Sequence, residues 1–261
     1  MSPFGALHGL RVGCVQYLNA KPLIVPYDGE VEFEHPARLA DMLVSGEIDV
    51  ALIPVFEALR EPRFPIVDDV AIASRGAVYS VFLAHRGPLS AVKRVCLDPA
   101  SRTSNNLLRC ILAEFHGVRP EFEASEKAEP DGDSAVLLIG NQAIRFRETA
   151  REGIEYLDLG EEWMARTGLP FVFAVWQIRP EIPNADAVGD ALRAVKEAGM
   201  RRVREIARLQ REFQPGFAER YLTEYIKFGI GAEEKEGIGR FRKLLQKHGL
   251  IEKSDVPLQF V

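Results

Sequence analysis

Apolar and polar positions alternate in blocks along this chain, and the blocks predict an ordered series of strands and helices. Short runs rich in apolar residues are typical of buried strands, and they occur at 10–15, 30–33, 48–55, 66–73, 77–85, 95–97, 135–139 and 171–175. Apolar residues at helical spacing predict helices over 37–44, over 107–112 and after residue 142. Strands that alternate with helices in this way indicate an α/β protein with crossover helices.

The pattern changes beyond Pro180, where amphipathic segments predict helices over 185–213, 217–228 and 233–248. The expected buried stripe of the first segment is Leu192, Val195, Val203, Ile206 and Leu209. The arginines of this segment are interleaved with acidic residues, so we expect a solvent-exposed face rather than an RNA site.

The strand-forming runs fall into two clusters, roughly 10–85 and 95–175. This order predicts two α/β lobes with a ligand cleft between them. The first lobe would comprise 1–88 and 176–261, and the second, 89–175, would be inserted into it. Ligands of α/β proteins bind where strands end, so polar residues at strand ends are the first candidates for a site.

The strand end near residue 97 carries the most polar side chains. Ser101, Thr103 and Ser104 follow the apolar run Val95 to Leu97 and precede a helix. Such residues cap helix N-termini, and the free N–H groups there also attract anions. An ordinary helix cap and an anion site both fit this pattern, although one cap needs fewer polar residues.

Three further strand ends are candidates for ligand contact. After the first strand come Tyr17, Asn19 and Lys21, in a segment predicted to be a loop because Pro22 disfavours helix at Lys21. The second candidate is Ser80. The third is Asn141 with Gln142, after the run 135–139; the alternative for each is a polar loop that only caps a sheet.

Composition narrows the class of protein. The 261 residues carry a formal net charge of −5, which argues against a nucleic-acid binder. No run of eighteen apolar residues predicts a membrane-spanning helix, and no signal peptide is visible at the N-terminus. The five histidines lack metal-ligand spacing, and the three cysteines lie in apolar runs. We therefore expect a reduced, cytoplasmic protein that binds no metal.

Four segments together resemble one family. GCVQYLNAKPL at 13–23, GEIDVALIPV at 46–55, LDPASRTS at 97–104 and TGLPFVFAVW at 167–176 are similar to the chorismate dehydratases of the futalosine route to menaquinone. The similarity spans almost the whole chain, in order. One departure is Asn141, where the resemblance leads us to expect aspartate.

The resemblance implies a two-lobed fold of the periplasmic-binding-protein type II class, with mixed sheets flanked by helices. It also implies loss of water from chorismate to give 3-[(1-carboxyvinyl)oxy]benzoate, without a cofactor. The two carboxylates of this substrate require two anion sites. Ser101, Thr103 and Ser104 would form one, and Ser80 with Asn141 and Gln142 would help to form the other.

The reaction removes the C3 proton and the C4 hydroxyl of chorismate. Asn19 cannot accept a proton at neutral pH, so we expect it to orient the substrate or polarise the leaving group. The base stays open between the substrate's own enolpyruvyl carboxylate and an acid such as Asp98 or Glu57. A non-catalytic binding or sensor protein for a small carboxylate is the alternative function. The oligomeric state is not predicted.

Overall fold

A computed structural model describes residues 4–125, 129–149 and 152–261. The strands are β1 (Val12–Cys14), β2 (Val31–Phe33), β3 (Val50–Pro54), β4 (Ile66–Ser74), β5 (Val81–His85), β6 (Arg94–Leu97), β7 (Glu121–Ala124), β8 (Ser134–Ile139), β9 (Glu155–Asp158) and β10 (Phe171–Ile178). The helices are α1 (Pro36–Ser45), α2 (Val55–Arg60), α3 (Arg102–Ile111), α4 (Gly140–Glu148), α5 (Leu159–Thr167), α6 (Ala185–Arg201), α7 (Val203–Leu209), α8 (Pro215–Arg220) and α9 (Ala232–Lys247).

Short helical turns complete the described secondary structure. Gly5–Leu7, Leu18–Leu23 and Leu89–Ala91 are 3-10 turns, and π-helical turns extend α3 and α8 over Leu112–His116 and Tyr221–Tyr225. No helix in the described part of the chain is both long and apolar enough to cross a membrane.

The strands form two five-stranded mixed sheets with the same plan. The orders are β2-β1-β3-β10-β4 and β7-β6-β8-β5-β9. In the first sheet β1 runs parallel to β2 and β3, whereas β10 runs antiparallel to β3 and β4. In the second sheet β6 runs parallel to β7 and β8, whereas β5 runs antiparallel to β8 and β9. The predicted α/β class is confirmed.

The chain crosses between the sheets twice, from β4 to β5 and from α5 to β10. We call the first sheet with α1, α2 and α6–α9 the first lobe, and the second sheet with α3–α5 the second lobe. This membership differs from the prediction at both crossings. Strand β5 belongs to the second sheet although it precedes residue 88, and all of β10 belongs to the first sheet although it begins before residue 176. An apolar run shows that a strand is buried, but it does not show which strand lies beside it.

Aromatic residues join the two lobes beside the second crossing. Trp163 of α5 contacts Phe171 of β10, with ring centroids 5.1 Å apart. Phe171 in turn contacts Phe241 of α9, also at 5.1 Å. All three side chains are buried. Edge contacts between aromatic rings add to their burial free energy, so this part of the lobe junction is firmly packed.

Three local predictions were wrong. The segment that contains Pro22 is a 3-10 turn, Leu18–Leu23, rather than a loop. The predicted helix 185–213 is interrupted at Arg202. Its expected core residue Leu209 is 67% exposed because α7 ends there. Residues 121–124 form β7 at a sheet edge with mostly exposed side chains, and residues 126–128 lie outside the described part of the chain.

Candidate active site

A cavity lies between the two lobes, at the ends of strands from both sheets. The cavity is partly open to solvent, and the space in it and at its mouth that holds no protein atoms is about 580 Å³. Its polar side chains are Tyr17, Asn19, Ser101, Thr103 and Ser104. None of the described residues that line it is an acid, a base or a histidine. The site is therefore an apolar chamber with a few uncharged polar groups.

The N-terminus of α3 forms one polar end of the cavity. Ser101 caps this helix because its Oγ accepts a hydrogen bond from the Ser104 N–H at 3.3 Å. The turn before it is fixed by Asp98, whose carboxylate accepts from the Ala100 N–H at 2.8 Å. Thr103 and Ser104 consequently lie in the first turn of α3 and face the cavity. The structure shows that Ser101 caps the helix, and the anion site at the same turn stays a prediction.

Thr103 connects this helix to the other lobe. Its Oγ1 accepts a hydrogen bond at 3.1 Å from the N–H of Phe56, in the first turn of α2. The N-cap residue of α2 is Pro54, whose side chain has no atom that could accept a hydrogen bond from this N–H group. A hydroxyl that accepts in this way still has its single proton to donate. Thr103 can thus offer an O–H to an anion in the cavity.

The turn after β1 brings Tyr17 and Asn19 to the same cavity. Burial, and to a lesser extent the nearby charge of Asp98, raises the pKa of Tyr17 to about 12, so it stays a neutral phenol. Its ring packs against Gly140 at the start of α4, where an added Cβ would lie 3.0 Å from the ring. Gly140 has a φ of +60°, which favours glycine. The Oδ1 atom of Asn19 is buried and has no hydrogen-bond partner.

Asn141 and Gln142 do not line the cavity. The Asn141 Oδ1 accepts from the Leu18 N–H at 2.9 Å, and its Nδ2 donates to Glu212 at 2.5 Å. Gln142 donates to Asp98 at 2.5 Å. Asn141 therefore links the second lobe to the first, rather than facing a ligand, and the proposed second anion site loses both side chains.

Lys21 and Ser80 also lie away from the cavity wall. Lys21 is part of the 3-10 turn and is only partly buried. Ser80 is fully buried, and its Oγ lies 2.6 Å from the hydroxyl of Tyr221. What the structure does bring to the second polar end is the N-terminus of α4, where Gly140 lines the cavity and Ile139 provides no capping side chain.

The two acids considered as bases are engaged elsewhere. Glu57 is buried and pairs with Arg60 at 2.6 Å and with Arg102 at 3.2 Å. Burial raises the pKa of Asp98. The hydrogen bonds that its carboxylate accepts from the Ala100 N–H and from Gln142 partly offset this rise. Neither acid lines the cavity. Neither is placed to remove a proton from a ligand there.

Sequence reasoning missed several residues of the site. Ile72 and Phe173 form part of its apolar wall, and the turn that begins with Tyr221 contacts the turn that carries Asn19. The first two belong to strands that were predicted as buried, but alternation along a strand does not distinguish a core contact from a cavity wall. Tyr221 comes from a helical segment more than 200 residues after Asn19, and no local pattern connects the two.

Similarity to known proteins indicates the family of this chain. The sequence pattern that defines a family described as menaquinone biosynthesis matches residues 10–247, most of the chain. A chorismate dehydratase of Thermus thermophilus is 33% identical over 257 residues, which cover 90% of this chain and 94% of that protein.

The chain belongs to the menaquinone biosynthesis family. A second relative, a chorismate dehydratase of Campylobacter jejuni, is 29% identical over 160 residues, covering 60% of this chain and 58% of that protein. The predicted family resemblance is confirmed.

Solved structures place this member of the menaquinone biosynthesis family in a fold class. A protein of Archaeoglobus fulgidus aligns with a TM-score of 0.65 at 17% identity, covering 94% of this chain and 100% of that one. A Candida albicans gene product described as having the generic periplasmic binding protein fold aligns with a TM-score of 0.64 at 14% identity, covering 94% and 92%. Sequence identities this low indicate the fold and not the function of the chain. They confirm the predicted two-lobed fold.

Proposed function

We propose that this member of the menaquinone biosynthesis family is a hydro-lyase that converts chorismate to 3-[(1-carboxyvinyl)oxy]benzoate and water. The observation that carries the proposal is the cavity wall, which combines two helix N-termini with an apolar surface and no ionisable side chain other than a buried phenol. A small, cyclic dianion fits such a wall. The kinship to chorismate dehydratases supports the choice of substrate.

The two carboxylates of chorismate would lie at the two helix N-termini. At α3, the hydroxyls of Ser101, Thr103 and Ser104 and the free N–H groups of the first turn would hold one carboxylate. At α4, the backbone after Ile139 would hold the other. Helix N-termini carry a partial positive charge, and hydrogen bonds to a charged group contribute about 1.5–3 kcal/mol each. The chain would therefore bind a dianion without arginine or lysine on the wall.

Apolar side chains would enclose the ring of the substrate. Leu52, Ile72 and Phe173 of the first lobe and Val81 and Ile139 of the second line the cavity. Enclosure removes water from the reacting atoms and strengthens each electrostatic contact to them. Preorganised donors at the ring carboxylate would stabilise the negative charge that reaches it when the C3 proton leaves.

The base is the substrate's own enolpyruvyl carboxylate in this proposal. Tyr17 is the only ionisable side chain among the described lining residues, and a pKa of about 12 keeps it protonated. The enolpyruvyl carboxylate takes the C3 proton, and the electron pair of the C3–H bond forms the new ring double bond. The C4–O bond breaks, and the departing hydroxide leaves as water with that proton. Holding one conformer makes such an intramolecular transfer effective, with effective molarities on the order of 10⁵ M or more.

Asn19 would orient the leaving group. Among the described residues that line the cavity, Asn19 is the one with a buried side-chain polar atom, Oδ1, that has no hydrogen-bond partner. An unpartnered buried acceptor costs about 1–3 kcal/mol and calls for a donor. The C4 hydroxyl of chorismate supplies one. Its oxygen lone pairs would then point away from Asn19 and towards the proton that completes the water molecule.

The test is incubation of the purified protein with chorismate, followed by ultraviolet absorbance and proton NMR. We expect loss of the chorismate diene and appearance of a meta-substituted aromatic product, at the same rate after treatment with EDTA. Binding of chorismate without any spectral change would refute the enzyme and leave a binding protein. We also propose a cytoplasmic location, in keeping with three cysteines that are all free thiols.

A further inference from the structure

A charged side chain beside the cavity connects the two lobes. Arg102 is the first residue of α3, between Ser101 and Thr103, which both line the cavity. Arg102 is not among the described residues that line it. One nitrogen of its guanidinium donates to the Asp41 carboxylate of α1 at 2.9 Å, and another lies 3.2 Å from the Glu57 carboxylate of α2. Arg102 belongs to the second lobe, and both acids belong to the first.

The ion pair between Arg102 and Glu57 is formed on a buried carboxylate. The Glu57 side chain is 5% exposed, and its Oε2 accepts two hydrogen bonds from Arg60, at 2.6 and 2.9 Å. Its Oε1 is buried and accepts no hydrogen bond in the described structure, so it relies on the nearby charge of Arg102. Breaking a buried pair is costly because it leaves a charge without compensation. The pair therefore restricts where the first residue of α3 can lie.

A hydrogen bond of the next residue holds the same turn. The Thr103 Oγ1 accepts from the Phe56 N–H at 3.1 Å, and Phe56 precedes Glu57 in the first turn of α2. The first turns of α2 and α3 therefore meet across the lobe junction through adjacent residues. Asp41 adds a third contact, from α1. These three contacts involve no ligand, and they hold the turn whose hydroxyls face the cavity.

We propose that Arg102 is a positioning residue that holds the first turn of α3 against the first lobe. In this role it orders the hydroxyls and N–H groups of the turn for a substrate carboxylate before the substrate binds. The proposal rests on the dehydratase function proposed above, which places one carboxylate of chorismate at this turn. Two acids engage the guanidinium, so we assign it to the turn rather than to the ligand. A site that is ordered in advance binds more tightly than one that must first be assembled.

The direction of one charge effect separates this role from direct attraction of the ligand. Glu57→Gln removes a negative charge near a site for a dianion, so electrostatics alone would strengthen binding. An Arg102 that acted on the ligand through its own charge would be freed and would strengthen binding further. A loosened turn has the opposite effect, because an amide holds a guanidinium less firmly than a carboxylate does. We expect the Kd of the product, which keeps both carboxylates, to rise about threefold in calorimetry.

Arg102→Gln is the main test, with Arg38→Gln as the matched control. Arg38 donates to Glu47 at 2.6 Å on the exposed surface of the first lobe, away from the cavity. In Arg102→Gln we expect the product Kd and the KM for chorismate to rise about tenfold, the equivalent of one hydrogen bond of about 1.4 kcal/mol to a carboxylate. Arg102→Lys keeps the charge but not the fork that reaches two acids, so its rise should be smaller. Arg38→Gln should leave both constants unchanged.

Two controls keep a loss of folding from being mistaken for a loss of binding. Thermal unfolding curves show that each variant is folded at the temperature of the calorimetry. Asp41 is half exposed, so Asp41→Asn repeats the test of direction should Glu57→Gln not fold. A Kd that fails to rise, in Arg102→Gln or in the acid variant that folds, would overturn the positioning role and leave the dehydratase function standing. Failure of the wild-type protein to consume chorismate would overturn the function and, with it, this inference.

Discussion

Asn141→Asp is the substitution whose effect the structure predicts most sharply. The Asn141 amide accepts from the Leu18 N–H on one side and donates to the Glu212 carboxylate on the other. Aspartate keeps the first bond, because a carboxylate is an acceptor. It turns the second bond into a contact between two negative charges. The change therefore opposes closure of the lobes without altering the size of the side chain.

The magnitude follows from the distance and the exposure of the pair. Two unit charges 4 Å apart repel by about 1 kcal/mol in water and about 4 kcal/mol at an effective dielectric constant of 20. The Glu212 side chain is 30% exposed and also contacts Arg145, so the lower part of this range applies. With the lost hydrogen bond, the closed form should be weakened by about 2 kcal/mol, and kcat/KM should fall roughly thirtyfold.

Glu212→Gln provides the matched rescue. Combined with Asn141→Asp, it returns an amide donor to a carboxylate acceptor, with the two roles exchanged. We expect kcat/KM of the double variant within about threefold of wild type, and small-angle scattering with bound product should show a closed radius of gyration again. A double variant no more active than Asn141→Asp alone, or full activity in that single variant, would refute the reasoning.

Three further outcomes are expected. Asn19→Ala should lower kcat with little change in KM, whereas Asn19→Asp should raise KM because it places a charge beside a dianion; equal kinetics in both variants would remove the catalytic role. Thr103→Val leaves the Phe56 N–H without its acceptor, so urea unfolding should show a loss of about 1–3 kcal/mol, which Thr103→Ser should largely avoid. The pKa of Glu114 is lowered chiefly by a hydrogen bond from Lys247, so this contact between the lobes stabilises above the ordinary pKa of 4.5 and is lost as pH falls. Glu114→Gln should therefore lower the thermal midpoint at pH 7 but hardly at pH 3.

The fold could be predicted from the sequence where the pattern is local. Apolar runs located most of the strands, and the helix predicted over 37–44 is α1, which Gly46 ends with a φ of +81°. The short helices α2 and α5 were missed because they follow strands directly and present apolar residues to the core. The break at Arg202 was missed because the amphipathic pattern continues on both sides of it.

The residues of the candidate site could likewise be predicted only where a local pattern marks them. Ser101, Thr103 and Ser104 were found because a capping turn after a strand is visible within a few residues. Ser80 and Asn141 were correctly placed at strand ends, but the sequence could not show which way each side chain points. The answer depends on Tyr221 and Glu212, which reach the lobe junction only through tertiary packing.

The uncharged wall of the cavity has a consequence for inhibitor chemistry. Reagents that modify thiolates, imidazoles, amines or carboxylates find no target among the described residues that line it. The thiols of Cys14 and Cys110 lie buried elsewhere, and desolvation raises the pKa of each to about 12, so neither forms a thiolate at neutral pH. Among the described lining residues, electrophilic inhibitors therefore find only a neutral phenol and hydroxyl groups, which are weak nucleophiles, and we expect compounds against this site to act reversibly. Under the proposed mechanism, a dicarboxylate with the outline of the substrate but without its C3 proton would occupy both helix N-termini and would not react.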